Sequence, residues 1–233
     1  MTDFQILQLL PGARAAGGLT VVIDVFRAFS VACYVMGNGA ARVIPVADLE
    51  RAYALKQADG SRVLIGERHG RRPPGFDHGN SPTEIEGVDF RGRTVIQTTS
   101  AGTQGIEAAS RADEIITGSF TNAPAIVRYI RTRRPRLVSL VCMGHETVAE
   151  SDEDTLCPEL IRDAAGGASV DFESIRARLR RSTAAERFFD PAKDWAPARD
   201  FDLCLALGRF DFVLRYGVDA EGTPALYRAE VPA

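Results

Sequence analysis

The regular alternation of short apolar runs with helical patterns constrains this chain more than any other feature. Runs of strand character recur at Phe4–Leu9, Leu19–Val25, Arg42–Val46, Arg62–Gly66, Thr94–Thr98, Glu114–Thr117 and Leu137–Cys142. Between them, helical patterns fall at Ala28–Gly37, Asp48–Gln57, Gly102–Ala109, Asn122–Arg131 and Asp152–Ala164. Asp48 suits a helix N-cap before Leu49, and Gly60 suits the turn that follows. Strands alternating with helices of this length predict an α/β sheet covered on both faces.

The second half is less regular. Ser174–Thr183 reads as an amphipathic helix with a solvated, arginine-rich face, Phe188–Arg199 as a connecting loop and Arg199–Leu207 as a last helix closed by Gly208. Phe212–Tyr216 and Ala225–Val231 read as a terminal hairpin joined through Asp219–Gly222, and its apolar residues leave room for a homodimer. No linker or repeat interrupts the chain. With 233 residues and 45% hydrophobic content, one domain over 1–233 is expected, irregular from about 168 onward.

Charge and composition remove several function classes. A net charge of −3 argues against a nucleic-acid binder that works through a basic face. Lys56 and Lys193 are the two lysines, and neither sits in a glycine-rich phosphate loop. Cys33, Cys142, Cys157 and Cys204 are widely spaced, as suits reduced, buried thiols rather than a zinc site. No apolar run approaches the ~18 residues that span a membrane. The amino terminus lacks a signal-peptide layout, so a soluble cytoplasmic protein is expected.

The chemistry concentrates between Gly66 and Pro82, where acids, three arginines, two histidines, an amide and a hydroxyl are packed among glycines and prolines. A core could not bury that set unpaired. A solvated loop is the plain alternative; half of a site for an oxygen-rich, charged substrate accounts for more of it. Asp24 and Arg27 follow an apolar strand, where open α/β sheets bind ligands, although Asp24 serves equally as a helix N-cap. Thr98-Thr-Ser-Ala-Gly-Thr103 and Gly118-Ser-Phe-Thr-Asn122 lead from strands into helices and offer either oxyanion cradles or simple caps. The acidic run Glu150–Asp154 answers a helix macrodipole or forms a corner for a hard cation.

Motif spacing narrows the chemistry. No cysteine has an arginine six residues on, Asp24 has no second acid two residues on, and the G-x-S-x-G elbow is absent. Arg68-His69-Gly70 after a strand resembles the opening of the histidine phosphatases, with His145 as a second histidine.

Taken together and in order, the segments resemble the 2-phosphosulfolactate phosphatase family. The resemblance rests on Ile23-Asp-Val-Phe-Arg-Ala28, Asn38-Gly-Ala40, Gly66-Glu-Arg68 with Gly70, and Gly75-Phe-Asp77 with Gly79-Asn-Ser-Pro82. Downstream it continues through Thr98-Thr99 with Gly102-Thr103, Gly118-Ser-Phe120 with Asn122-Ala123, and Glu153-Asp154 with Leu156. Ser100-Ala101 departs from it, standing before Gly102-Thr103 where the family often carries an asparagine.

The resemblance implies a three-layer α/β/α fold with a mixed, largely parallel sheet. It also implies a Mg²⁺-dependent phosphatase acting on a small phosphorylated, sulfonated acid, in coenzyme M biosynthesis. On that basis Asp24, Glu67 and Asp154 are expected to hold Mg²⁺, and Arg27 and Arg68 to bind phosphate or sulfonate. Asn80, Ser81, Thr99, Thr103 and Asn122 are expected to add neutral donors, and Asp77 to move a proton. Two other readings stand beside it: a metal-independent phosphatase built on His69 and His145, and a non-catalytic binder of phosphorylated or sulfonated acids.

Overall fold

The computed structural model describes residues 2–218 and 222–231. Nine strands form one sheet: β1 Asp3–Gln8, β2 Leu19–Ile23, β3 Arg42–Pro45, β4 Val63–Gly66, β5 Thr94–Thr98, β6 Glu114–Gly118, β7 Leu137–Cys142, β8 Phe212–Val218 and β9 Pro224–Glu230. Their order is β1-β7-β2-β6-β8-β9-β3-β5-β4. Four strands on one side (β1, β7, β2, β6) and three on the other (β3, β5, β4) pair in parallel. The fold is α/β with a mixed, mostly parallel sheet flanked by helices.

The expected terminal hairpin is present. It joins the two parallel halves at the centre of the sheet, with β8 antiparallel to β6 and β9 antiparallel to β3. Its apolar residues Phe212, Val213, Leu214, Ala225 and Leu226 are therefore buried within the sheet. Of its connection, residues 219–221 lie outside the described residues.

Among the described residues, ten α-helices cover the faces: α1 Leu9–Ala15, α2 Ala28–Gly37, α3 Leu49–Ala58, α4 Pro82–Ile85, α5 Gly102–Ala108, α6 Ala123–Arg133, α7 Asp152–Ala165, α8 Phe172–Leu179, α9 Thr183–Glu186 and α10 Ala198–Cys204. Strand alternation decides what each face buries. Val21 and Ile23 of β2 pack with Ile126 of α6 and Leu160 of α7, while Val22 packs with Phe29 of α2 and Ile106 of α5. Ile44 and Ile96 pack with Ala52 of α3 on the far half. A strand buried on both faces reads as a near-continuous apolar run, and β2, Leu-Thr-Val-Val-Ile, has no exposed residue.

Two helices lie where the sequence pattern shows none. Leu9 turns the chain at φ 59° into α1, and Pro11 falls in that helix's first turn, where a missing N–H costs no internal bond. Pro82 likewise opens α4. The arginine-rich helix, α8, ends at Leu179, and a separate short helix, α9, begins at Thr183. All four cysteines are free and buried. No helix of the described residues is long and apolar enough to cross a membrane.

Candidate active site

A cavity of about 770 Å³ collects the loops that follow strands from both halves of the sheet. Its wall includes Asp24, Phe26 and Arg27 after β2, Glu67, His69 and Gly70 after β4, Ser100 and Ala101 after β5, and Gly144 and His145 after β7.

Asp24 combines the two roles open to it from sequence. One carboxylate oxygen accepts the Ala28 N–H at 3.1 Å and so starts α2, while the side chain also lines the cavity. Gly102 permits this, because a Cβ there would lie 2.9 Å from the other oxygen, Oδ2. Burial raises the Asp24 carboxyl to about 6; the Ala28 N–H opposes that shift and the negative charge of Glu67 adds to it.

Glu67 ties two loops together. Its carboxylate accepts Ser100 N–H at 2.6 Å, Gly70 N–H at 2.8 Å and the Ser100 hydroxyl at 3.2 Å. Asp154 does the same for another pair, accepting Val25 N–H and Gly144 N–H, each at 2.8 Å. Asp154 is not part of the cavity wall, whereas its neighbour Glu153 is. Glu153 is buried, and its Oε2 has no hydrogen-bond partner. Burial lifts its carboxyl to about 7, with Asp24 adding repulsion.

Arg27 lines the cavity but is heavily engaged. Its guanidinium donates to Asp200 at 2.7 Å, to the Trp195 carbonyl at 2.8 Å and to the Gly70 carbonyl at 3.4 Å. Arg27 is 3% exposed and Asp200 is fully buried. Asp200 in turn accepts from the Ser81 hydroxyl, so Ser81 is spent on this network, together with the N–H and hydroxyl of Thr83. Asn80 is buried in the cavity wall with Oδ1 unpartnered.

Arg68, Asp77, Thr99, Thr103 and Asn122 lie outside the wall. Arg68 donates to the carbonyls of Glu67 and Ala47 and to the Thr98 hydroxyl, all at 2.7 Å. Asp77 is 41% exposed and accepts the Leu64 N–H at 2.8 Å. Thr99 and Thr103 exchange hydrogen bonds at the start of α5. Asn122 closes a capping box, accepting Ser119 N–H and donating to the Thr117 carbonyl. His69 and His145 both line the cavity, but His69 is 84% exposed and its Nδ1 sits 2.9 Å from Glu146.

Sequence reasoning missed Arg187, Trp195 and Asp200, and from the acidic run it chose Asp154 rather than Glu153. The acidic run was visible, but which of its carboxylates faces the cavity depends on the phase of α7. The other three lie in the segment from just after α9 into α10, whose pattern reads as a connecting loop and a last helix and marks no site.

Among the described residues, no group of three or more His, Cys, Asp or Glu side chains is placed to hold a metal ion. The expected trio is therefore not a preformed cage, and Asp154 is spent on backbone N–H groups. Magnesium, however, is commonly held by one or two carboxylates plus water and substrate phosphate. Asp24 and Glu153 meet that requirement: both are buried, both face the cavity, and Glu153 Oε2 lacks a partner.

Fold and site together define an α/β enzyme whose acids and guanidinium groups converge on a cavity at strand carboxyl ends, suited to a charged oxyanion ester. A family model described as 2-phosphosulpholactate phosphatase matches residues 4–217, and the chain belongs to that family of phosphoric monoester hydrolases. A protein of Bacillus subtilis (strain 168), named probable 2-phosphosulfolactate phosphatase, is 31% identical over 211 residues, covering 89% of this chain and 90% of its own. A Thermotoga petrophila protein of the same name is 38% identical over 163 residues, 66% of this chain and 70% of its own. One from Thermoplasma acidophilum is 29% identical over 198 residues, 85% and 86% of the two chains.

Proposed function

We propose that this chain hydrolyses 2-phosphosulfolactate to sulfolactate and orthophosphate with the help of Mg²⁺, a reaction that would serve coenzyme M biosynthesis. The observation that carries the metal part is the set of buried carboxylates from separate loops. Asp24, Glu67 and Glu153 share one cavity wall, and burial holds Asp24 and Glu153 well above the ordinary carboxylate range. Acids that are costly to ionise together are stabilised by a cation between them. The family membership supports the ester class, and the names of the relatives support the substrate.

Mg²⁺, when bound, would neutralise charge on the phosphoryl oxygens and lower the pKa of a coordinated water. Asp24 and Glu153 are the residues that would hold it. Glu67 fixes the loops after β4 and β5 through its bonds to Gly70 and Ser100, which sets the shape of the wall. Arg27, Arg187 and Lys193 supply positive charge facing the cavity. His145 and Trp195 line the same cavity and would help to exclude bulk water.

Phosphate release from 2-phosphosulfolactate, measured with Mg²⁺ and with EDTA, tests this reading. Release that EDTA abolishes and Mg²⁺ restores is the expected result. EDTA-resistant release would transfer the chemistry to His69 and His145, and ligand binding without release would make the protein a binder.

A further inference from the structure

Two guanidinium groups face the cavity, and they differ in what they still have to give. Arg27 has its charge matched by Asp200 at 2.7 Å, and two carbonyls take further donors. Arg187, just beyond α9, donates from Nη2 to the Phe26 carbonyl at 2.6 Å. Its Nε is buried without a partner, and no carboxylate of the described residues lies within ion-pair distance of it.

Its neighbours make this arrangement costly. Burial pushes the Arg187 guanidinium below its ordinary pKa, and the positive charge of Arg27 pushes the same way. Glu153 and Asp24 are close enough to oppose both effects but make no contact. A buried donor without an acceptor is unfavourable, and so is a partly buried cation without a matched anion. Arg187 therefore lacks an acceptor that the protein does not supply. The acceptors Glu153 Oε2 and Asn80 Oδ1 are unpartnered on the same wall. A ligand that brings an oxyanion to the Arg187 side of this wall would supply the guanidinium with an acceptor. A planar guanidinium fork matches a tetrahedral oxyanion better than any other side chain does.

We propose that Arg187 is the residue that binds the oxygens of the transferring phosphoryl group, while Arg27 braces the wall through Asp200. This rests on the phosphatase reading for the identity of the ligand. Arg187 would then be a catalytic residue, since it touches the reacting group and its charge counts most as negative charge builds on the phosphoryl oxygens.

Orthophosphate, the product, is the probe. Its binding is measured by calorimetry with Mg²⁺ present and absent, on wild type and on Arg187→Met, beside kcat/KM for 2-phosphosulfolactate and a thermal melt of each protein without ligand. Wild type is expected to bind orthophosphate. Arg187→Met is expected to lose saturable binding and about 100-fold in kcat/KM, with an unliganded Tm equal to or above that of wild type, because a partly buried cation without an ion pair has been removed. A merely structural arginine would instead lower the Tm and leave phosphate affinity intact in the folded fraction.

Phosphate affinity in Arg187→Met within about threefold of wild type, or no phosphate binding by wild type, would overturn the assignment. If the Met variant does not fold, Arg187→Lys keeps the charge and removes the fork. A loss of at least about tenfold in phosphate affinity then supports the assignment, and a smaller loss sinks it. Wild type that binds orthophosphate through Arg187 yet releases none from 2-phosphosulfolactate would leave the assignment standing and refute the substrate reading.

Discussion

Replacing Asp200 with alanine isolates the strongest buried interaction in the site. The Asp200 carboxylate is fully buried and accepts from Arg27 at 2.7 Å, from Ser81 at 2.8 Å and from the Thr83 N–H and hydroxyl at 3.0 and 2.6 Å. Truncation leaves the Arg27 guanidinium, itself 3% exposed, without its counter-charge. Breaking a buried pair from one side costs about 3–5 kcal/mol. For a domain of this size each kcal/mol moves Tm by roughly 2–4 °C, so Asp200→Ala is expected to melt about 6–20 °C lower.

A circular-dichroism melt checks the first number, and urea unfolding monitored by the same signal gives the free energy directly. The double variant Arg27→Met/Asp200→Ala removes both charges. It is expected to be more stable than the sum of the single effects by about 1–3 kcal/mol. A melt of Asp200→Ala within about 2 °C of wild type would refute the argument that this pair braces the cavity wall.

Other consequences are open to equally direct checks. Asp24 and Glu153 are raised to about 6 and about 7, so the folded chain keeps protons that the unfolded chain has released. Metal-free stability should then fall as pH rises from the ordinary carboxylate range to about 7, and Glu153→Gln should flatten that fall in a series of melts. Stability rising over the same window would contradict it. Gly70 has φ 79°, and a Cβ there would meet the Trp195 ring at 2.3 Å. Because Trp195 is the single tryptophan, Gly70→Ala should shift the intrinsic emission and reduce kcat/KM together. Unchanged emission would mean that the ring does not rest on Gly70. Asn122→Ala should lose about 1–3 kcal/mol of stability with KM unchanged, since its amide serves a cap. Asp77→Asn should leave kcat/KM within about threefold, and a loss beyond about 100-fold would return Asp77 to the chemistry.

The sheet was legible in the sequence wherever one physical signal dominated. β3, β6 and β7 are short strand-like runs with helical patterns on both sides, and the Asp48 cap of α3 is present, accepting the Arg51 N–H at 2.7 Å. The central position of β8 and β9 was not legible, because strand order depends on pairing between residues more than 90 apart, which local pattern does not encode. Within the site, residue type identified candidates but not their obligations. Arg27, Arg68 and Arg187 are alike in sequence. One is ion-paired, one is bonded to carbonyls and a hydroxyl, and one keeps an unfilled donor. Glu153 and Asp154 differ by one step along α7, yet one faces the cavity and the other staples two loops. Such differences come from tertiary packing, which a single sequence states only indirectly.

The hairpin at the centre of the sheet has a consequence for biosynthesis. All seven parallel strands, through residue 142, leave the ribosome before residues 212–230 do. Until those last strands arrive, β6 and β3 each present a free edge, and the two halves have no shared strand. Nascent chains would thus carry two unpaired edges at once, the kind of surface that recruits chaperones or neighbouring nascent chains. The loops from β2 and β7 and those from β4 and β5 would be brought into register as the hairpin closes the gap. Catalytic competence should therefore appear late, as a single event, rather than growing with chain length.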